Sequence, residues 1–261
     1  MPELRWISLV AGCAVAVVSL SACTSTQSTD GLDTLTVFAA ASLKVPFTEI
    51  AREFESRHPG TDVVLVTAGS STLARQLVDG ASVDVFASAS PTLIQRVAAA
   101  DLLLSEPDEF ASNIAVPVRS PSSSLRSLDQ FSDERYRIVL CARTVPCGEA
   151  ADELLNRAGV STPRPSRESD VLAVAGKVAS GEADAGIVYA SDLRQSDGRL
   201  VPVPGTNEVP VTSRYEIAIL KSARNHPRAN DWIALVTSSV GQEILRDAGF
   251  GLGQSDDLAD G

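Results

Sequence analysis

Four short runs of small, hydroxylated and Gly residues follow apolar stretches of this chain. They are Val37-Phe38-Ala39-Ala40-Ala41-Ser42-Leu43, Ala68-Gly69-Ser70-Ser71-Thr72-Leu73, Val145-Pro146-Cys147-Gly148 and Gly186-Ile187-Val188-Tyr189-Ala190-Ser191-Asp192. Each leaves a predicted strand and opens a predicted helix. The first turn of a helix carries N–H groups without an intrahelical acceptor and a partial positive charge. Several such ends aimed at one point make an anion site without Lys or Arg. A tetrahedral dianion has four oxygens to satisfy, and hydroxyl and backbone N–H donors suit it when it is fully deprotonated. Ser42, Ser70 and Ser71 are candidate donors, and Tyr189 adds a phenol at a strand end. Taken singly, each Ser is equally an ordinary N-cap and Tyr189 a half-buried strand aromatic; their repeated placement at strand ends carries the anion reading.

Other chemistry finds little support. No Gly-x-Ser-x-Gly or Ser-x-x-Lys nucleophile signature stands at a strand end, and no Walker loop or Gly-x-Gly-x-x-Gly occurs. His58 and His226 each precede Pro at a predicted helix boundary and read as solvated turn residues without a motif partner. Glu149, Asp152 and Glu153 read as a solvated first helical turn that complements the dipole.

The 261 residues carry a formal net charge of −11, which argues against nucleic acid and against long-range steering of anions. Any anion selectivity must therefore be local. Arg5 precedes a mostly apolar stretch from Trp6 to Leu20, followed by Leu20-Ser21-Ala22-Cys23. That stretch is too short for a spanning helix, and the four residues after it resemble the bacterial lipoprotein cleavage and acylation motif. Residues 1–22 are expected to be the leader, Cys23 the lipidated residue, and 23–33 a flexible Ser/Thr-rich tether; an ordinary secretory leader or an N-terminal anchor is the alternative. In an exported chain Cys141 and Cys147, five residues apart, point to a disulfide rather than to two separate buried thiols, and with no nearby His they make a poor zinc site.

The elements that must position these residues follow from periodicity. Leu35–Ala40, Asp62–Thr67 and Val83–Ala87 read as strands. The helix after Ser42 places Phe47, Ile50, Ala51 and Phe54 on one face and Pro46 in its first turn. Ser70 or Ser71 caps a second helix, and Ser90-Pro91 starts a third. A βαβαβα order implies a parallel sheet covered by helices on both faces. After Ile114–Val118 the pattern restarts: strand Arg137–Cys141, helix Gly148–Ala158, an extended piece from Pro163 to Ser169, a helix capped by Ser169 or Asp170, and strand Ala185–Tyr189. Gly80 to Ser88 and Gly181 to Ser191 share the order Gly, small residues, Asp, strand, Ala-Ser, so two lobes of like topology are expected. Strand Tyr215–Lys221 and helices over 227–236 and 239–248 complete the fold. Lobe one then comprises 34–112 and 213–254, lobe two is 113–212, with chain crossings near Asn113 and Val209, and 255–261 is an acidic tail. The fold class is α/β: two three-layer lobes with mainly parallel sheets, the second inserted in the first, and a ligand in the cleft at the strands' carboxyl ends.

These runs, with Ser70-Ser71-Thr72-Leu73-Ala74-Arg75-Gln76, Asp84-Val85-Phe86-Ala87-Ser88-Ala89 and the closing Gly249-Phe250, closely resemble the molybdate-binding proteins of bacterial molybdate ABC transporters. The likeness extends from about Leu35 to Phe250. It implies a type II periplasmic-binding-protein fold with the oxyanion buried between the lobes. It also implies hydroxyl donors at Ser42 and Ser70, backbone N–H donors at Cys147 and Val171, and the phenol of Tyr189. Molybdenum would be held only as molybdate, with no directly ligated metal ion and no cofactor. Gly69 stands where some relatives have Ser, and Cys147 where many have Ala. The resemblance further implies tungstate as a second ligand, a permease and its ATPase as partners, and a monomeric, lipid-anchored protein on the outer face of the cytoplasmic membrane with no catalysis of its own. A carrier for sulfate, thiosulfate or a ferric complex, and a lipid-anchored enzyme or surface interaction protein on the same scaffold, are the competing readings.

Overall fold

The computed structural model describes residues 33–204 and 210–253. The expected leader, Cys23, the tail and the crossing near Val209 lie outside the described residues, while Asp33, assigned to the tether, already belongs to the first strand.

The first half is β1 (Asp33–Ala40), α1 (Lys44–Arg57), β2 (Thr61–Ala68), α2 (Ser70–Val78), β3 (Val85–Ser88) and α3 (Pro91–Ala99). β1 pairs in parallel with β2 on one side and β3 on the other. β1 and β3 are buried almost throughout because helices cover both faces, whereas the edge strand β2 alternates between inward and outward residues. Phe47 and Phe54 on α1 meet the Trp232 ring edge-on, each at 5.6 Å between centroids, as expected from their shared face. The second half repeats the scheme: β5 (Ile138–Cys141), α4 (Pro146–Arg157), β6 (Ser166–Glu168), α5 (Val171–Ala179) and β7 (Ala185–Tyr189), with β5 parallel to both β6 and β7. Helix α6 (Ala190–Arg194) and strand β8 (Val201–Pro202) follow.

Two antiparallel strands join the halves. β4 (Asp108–Arg119) pairs with β9 (Thr212–Ile219) as far as Ile114, then with β7 from Ala115 onward. β9 also pairs with β3, so one sheet runs β2-β1-β3-β9-β4-β7-β5-β6. β4 is much longer than the expected Ile114–Val118 because it serves both halves. Helices α7 (His226–Thr237) and α8 (Ser239–Asp247) return to the first half, and β10 (Gly251–Leu252) closes against β4. The buried apolar residues divide accordingly: the first half holds one core with Val37, Phe47, Tyr215 and Trp232 and another with Phe38, Leu73, Phe86 and Ile94, and the second half holds one with Val139, Leu154, Val174 and Ile187.

The internal likeness around Asp84 and Asp184 has a physical basis. The Asp84 N–H donates to the Thr36 carbonyl at 3.0 Å, and the Thr36 N–H donates back to Asp84 Oδ2 at 2.7 Å. The Asp184 N–H donates to the Arg137 carbonyl at 2.8 Å, and the Arg137 N–H donates back to Asp184 Oδ2 at 2.8 Å. Each carboxylate thus locks the start of its own strand to the central strand of its half. Asp84 is buried and its Oδ1 also accepts from Arg224 N at 2.7 Å. Asp84→Ala orphans two backbone donors. At about 1–3 kcal/mol each, it should lower the unfolding free energy by roughly 2–6 kcal/mol in a urea titration.

Candidate functional site

The carboxyl ends of the parallel strands in both halves enclose a cavity of about 20 Å³. Ala41, Ser42, Gly69 and Ser70 line it from the first half, and Val145, Pro146, Cys147, Asp170, Val171 and Tyr189 from the second. The structure therefore brings Ser42, Ser70, Cys147, Val171 and Tyr189 to one place.

Their local settings differ from simple caps. Ser42 lies in a single 3-10 turn, Ala41–Leu43, ahead of α1, and its Oγ is 2.9 Å from the Tyr215 hydroxyl. Neither Ser70 nor Ser71 caps α2; Gly69 occupies the cap position and Ser70 is the first helical residue. Ser70 Oγ accepts from the Ala89 N–H at 3.1 Å, which leaves its own proton for another acceptor. Ser71 instead spans the cleft, donating to the Thr144 carbonyl at 2.5 Å.

In the second half, a disulfide joins Cys141 at the end of β5 to Cys147 in the first turn of α4. Helix α4 begins at Pro146, two residues ahead of the expected Gly148. Gly148 is required there, since a Cβ would sit 1.9 Å from the Ala142 carbonyl oxygen. Cys147 and Val171 are each within the first two residues of a helix, where an N–H has no intrahelical acceptor. Of the two candidate caps for α5, Asp170 does the work, its Oδ1 accepting from Ala173 N at 3.0 Å. Tyr189 ends β7, almost fully buried, with its hydroxyl 3.1 Å from Ser213 Oγ. Burial pushes the phenols of Tyr189 and Tyr215 well above their ordinary values, so both stay protonated.

Among the described residues, no Lys, Arg or His lines the cavity. Four helical N-termini, those of the 3-10 turn, α2, α4 and α5, border it instead, and such ends carry a partial positive charge. Two acids stand near. Asp170 is engaged as a cap. Asp192, behind Tyr189, accepts the Tyr189 N–H at 2.9 Å and is pushed up to about 7, chiefly by burial, with the charge of Asp170 adding to it. Neither His lines the cavity. His58 is not the solvated turn residue expected: it packs on the Phe54 ring at 4.3 Å and takes a 2.8 Å hydrogen bond from Arg228 at Nδ1. The expected solvated turn of α4 is partly an ion-pair cluster, since Asp152 pairs with Arg143 and Arg167. Among the described residues no group of three or more His, Cys, Asp or Glu could hold a metal ion, and no helix is long and apolar enough to cross a membrane.

Sequence reading missed Tyr215, Ser213 and Asn113, which stand behind the cavity on β9 and β4. No local signal marks them, because each earns its place through partners far along the chain.

Two similar halves joined by shared strands, with a small cavity between them, make the type II periplasmic-binding-protein fold. Residues 35–251 match the family described as bacterial extracellular solute-binding protein, and the chain belongs to that family. Within it, the chain is 37% identical over 258 residues to the molybdate-binding protein ModA of Mycobacterium tuberculosis, covering 95% of this chain and 99% of the relative. It is 30% identical over 229 residues to ModA of Haemophilus influenzae, covering 83% and 89%. Among solved structures, the periplasmic molybdate-binding protein of Azotobacter vinelandii superposes with a TM-score of 0.73 at 22% identity, over 84% of this chain and 100% of that one. The sulfate-binding protein SubI of M. tuberculosis gives 0.71 at 15% identity, over 84% and 86%; likenesses this low in identity speak for the fold alone.

Two predictions follow from the geometry. A Cβ on Gly69 would lie 2.6 Å from the Ser169 carbonyl oxygen across the cleft. Gly69→Ala should therefore hold the halves apart at a cost of about 1–3 kcal/mol, seen in small-angle scattering as a more open particle with little change in melting temperature. Asp192, with its folded pKa raised, binds a proton more readily in the folded than in the unfolded chain. Its contribution to stability accordingly falls as pH rises from about 4 to about 7, by on the order of 3–4 kcal/mol. Asp192→Asn should remove that component, so the stability difference between variant and wild type should grow in the variant's favour across this range in denaturation titrations.

Proposed function

We propose that this chain captures molybdate, with tungstate as a second ligand of nearly the same size and charge, and hands it to an ABC permease driven by a cytoplasmic ATPase. The observation that carries the reading is the cavity itself: about 20 Å³, bordered by hydroxyls and four helical N-termini, without a cationic side chain. So small a space suits a compact ligand, and a donor-rich, cation-free lining suits an oxyanion that carries no proton. The names of the ModA relatives, which match this chain over nearly its whole length, support the same ligand.

In this reading Ser42 and Ser70 donate their hydroxyl protons, Cys147 and Val171 their backbone N–H groups, and Tyr189 its phenol. Because Cys147 acts through its main chain, its sulfur is free to form the disulfide that stiffens the loop feeding α4. Closure of the halves buries the anion, and Ser71 reaching Thr144 is one of the contacts that holds the closed form. Sulfate is smaller, so some buried donors would be stretched or unpaired around it. Phosphate carries a proton near neutral pH and would meet donors where it needs an acceptor. Lobe one would comprise 34–112 and 213–254 and lobe two 113–212. Cys23, in the motif Leu20-Ser21-Ala22-Cys23, would carry the lipid that holds the protein, as a monomer, at the outer face of the cytoplasmic membrane.

The test is calorimetric titration of the ligand-stripped chain from Thr24 onward with molybdate, tungstate, sulfate and phosphate in turn. One-to-one binding of the first two, with none for the others, is expected. The double variant Ser42→Ala, Ser70→Ala should lose roughly 2–6 kcal/mol of molybdate binding, at 1–3 per hydrogen bond to a charged partner. Tight sulfate binding would transfer the chain to another oxyanion, and an unchanged double variant would move the site elsewhere.

A further inference from the structure

We propose that Tyr215, with Ser213 beside it on β9, is a positioning residue that turns the Ser42 and Tyr189 hydroxyls into fixed donors toward the cavity, and thereby sets its preference for unprotonated oxyanions. This role rests on the oxyanion reading above.

Ser213 and Tyr215 are two residues apart on a strand and so face the same side of the sheet. Neither lines the cavity, yet each touches a hydroxyl that does. Tyr215 reaches Ser42 of the first half at 2.9 Å, and Ser213 reaches Tyr189 of the second at 3.1 Å. β9 itself lies between the two halves of the sheet, so one strand orders donors from both sides of the cleft.

The direction of the protons follows from Asn113. Its Oδ1 accepts the backbone N–H groups of Ile114 at 3.0 Å and of Ser191 at 3.4 Å, which fixes which end of the amide is which. Its Nδ2 then faces Ser191 Oγ at 2.8 Å and the Tyr215 hydroxyl. An amide NH₂ only donates, so this neighbour favours the Tyr215 oxygen as an acceptor and its single proton directed to a neighbouring hydroxyl. Ser42 and Tyr189 are the two hydroxyls within its reach. A hydroxyl that accepts from behind has its own proton free for the cavity. Ser213, 3.1 Å from the Tyr189 hydroxyl, is placed to serve it in the same way when Tyr215 serves Ser42. The Tyr215 ring cannot drift, because it is fully buried and held edge-on by Phe110, Tyr189 and Phe250 at 6.3, 6.3 and 5.4 Å. With this order in place the hydroxyls of Ser42 and Tyr189 present donors to the cavity, while the Asp170 carboxylate in its lining is occupied by Ala173 N and Ser169 Oγ. Without it, Ser42 or Tyr189 can rotate to accept the proton of a protonated oxyanion.

The experiment is a pair of double-variant cycles read by calorimetry with molybdate and with phosphate, with melting of each ligand-free variant as the fold control. Tyr215→Phe should weaken molybdate binding roughly tenfold, the worth of about one net hydrogen bond, and narrow the molybdate-to-phosphate ratio. In a Ser42→Ala background the same substitution should cost much less, since the hydroxyl it acts through is gone. Ser213→Ala should behave likewise against Tyr189→Phe, and gives an independent reading if Tyr215→Phe does not fold. Losses that simply add in both cycles, or an unchanged ratio, would mean that Tyr215 and Ser213 only pack, and would overturn the role while leaving the molybdate reading standing. A wild-type chain that binds none of the oxyanions would overturn that reading, and this role with it.

Discussion

Parallel strand pairing is the constraint on which the rest of this molecule depends. When β1 runs parallel to β2 and β3, all three end at the same edge, and each following helix begins there. The same holds for β5, β6 and β7. Helix N-termini are therefore collected at one edge of each half by the hydrogen-bonding pattern of the backbone, before any side chain is considered. The reciprocal Asp84–Thr36 and Asp184–Arg137 pairs fix the strand starts, and so fix how far each strand end projects into the cleft. Short polar residues at those ends then suffice to shape a cavity, and no cation has to be brought in.

The two halves are not hung on a loose linker. β4 and β9 are members of both arrays, and the change of partner occurs inside β4, between Ile114 and Ala115. Backbone hydrogen bonds therefore run from one half into the other through these two strands. The near contact of Gly69 with the Ser169 carbonyl and the Ser71–Thr144 hydrogen bond show how tightly the two rims meet. A side chain at Gly69 would fill the gap. Gly69 therefore lets the two backbones approach.

Membership of the extracellular solute-binding family places the chain among proteins whose shared architecture serves several solutes, as the fold likeness to both a molybdate-binding and a sulfate-binding protein illustrates. Fold alone does not choose among them.

Much of this was readable along the chain. Phe47, Ile50, Ala51 and Phe54 announced the inward face of α1, Ser90-Pro91 the start of α3, and the spacing of Cys141 and Cys147 their disulfide, because helical periodicity, capping and short-loop closure are local. Ser42, Ser70 and Tyr189, singled out at strand ends, and Cys147 and Val171, implied by the family resemblance, do meet at one cavity, since parallel topology gathers strand ends wherever the motifs occur. What the chain could not disclose are relations between distant segments. Ser42 meets Tyr215 across 173 positions and Ser71 meets Thr144 across 73, and the caps foreseen at Ser70 and Ser71 gave way to these longer reaches. The length of β4, the tight fit at Gly69 and the neutral poise of Asp192 are equally invisible along the chain. Periodicity reports what a residue does with its neighbours in sequence. Burial, proton direction and close approach depend on which surfaces fold together, and those come into being only when the chain crosses between its halves and returns.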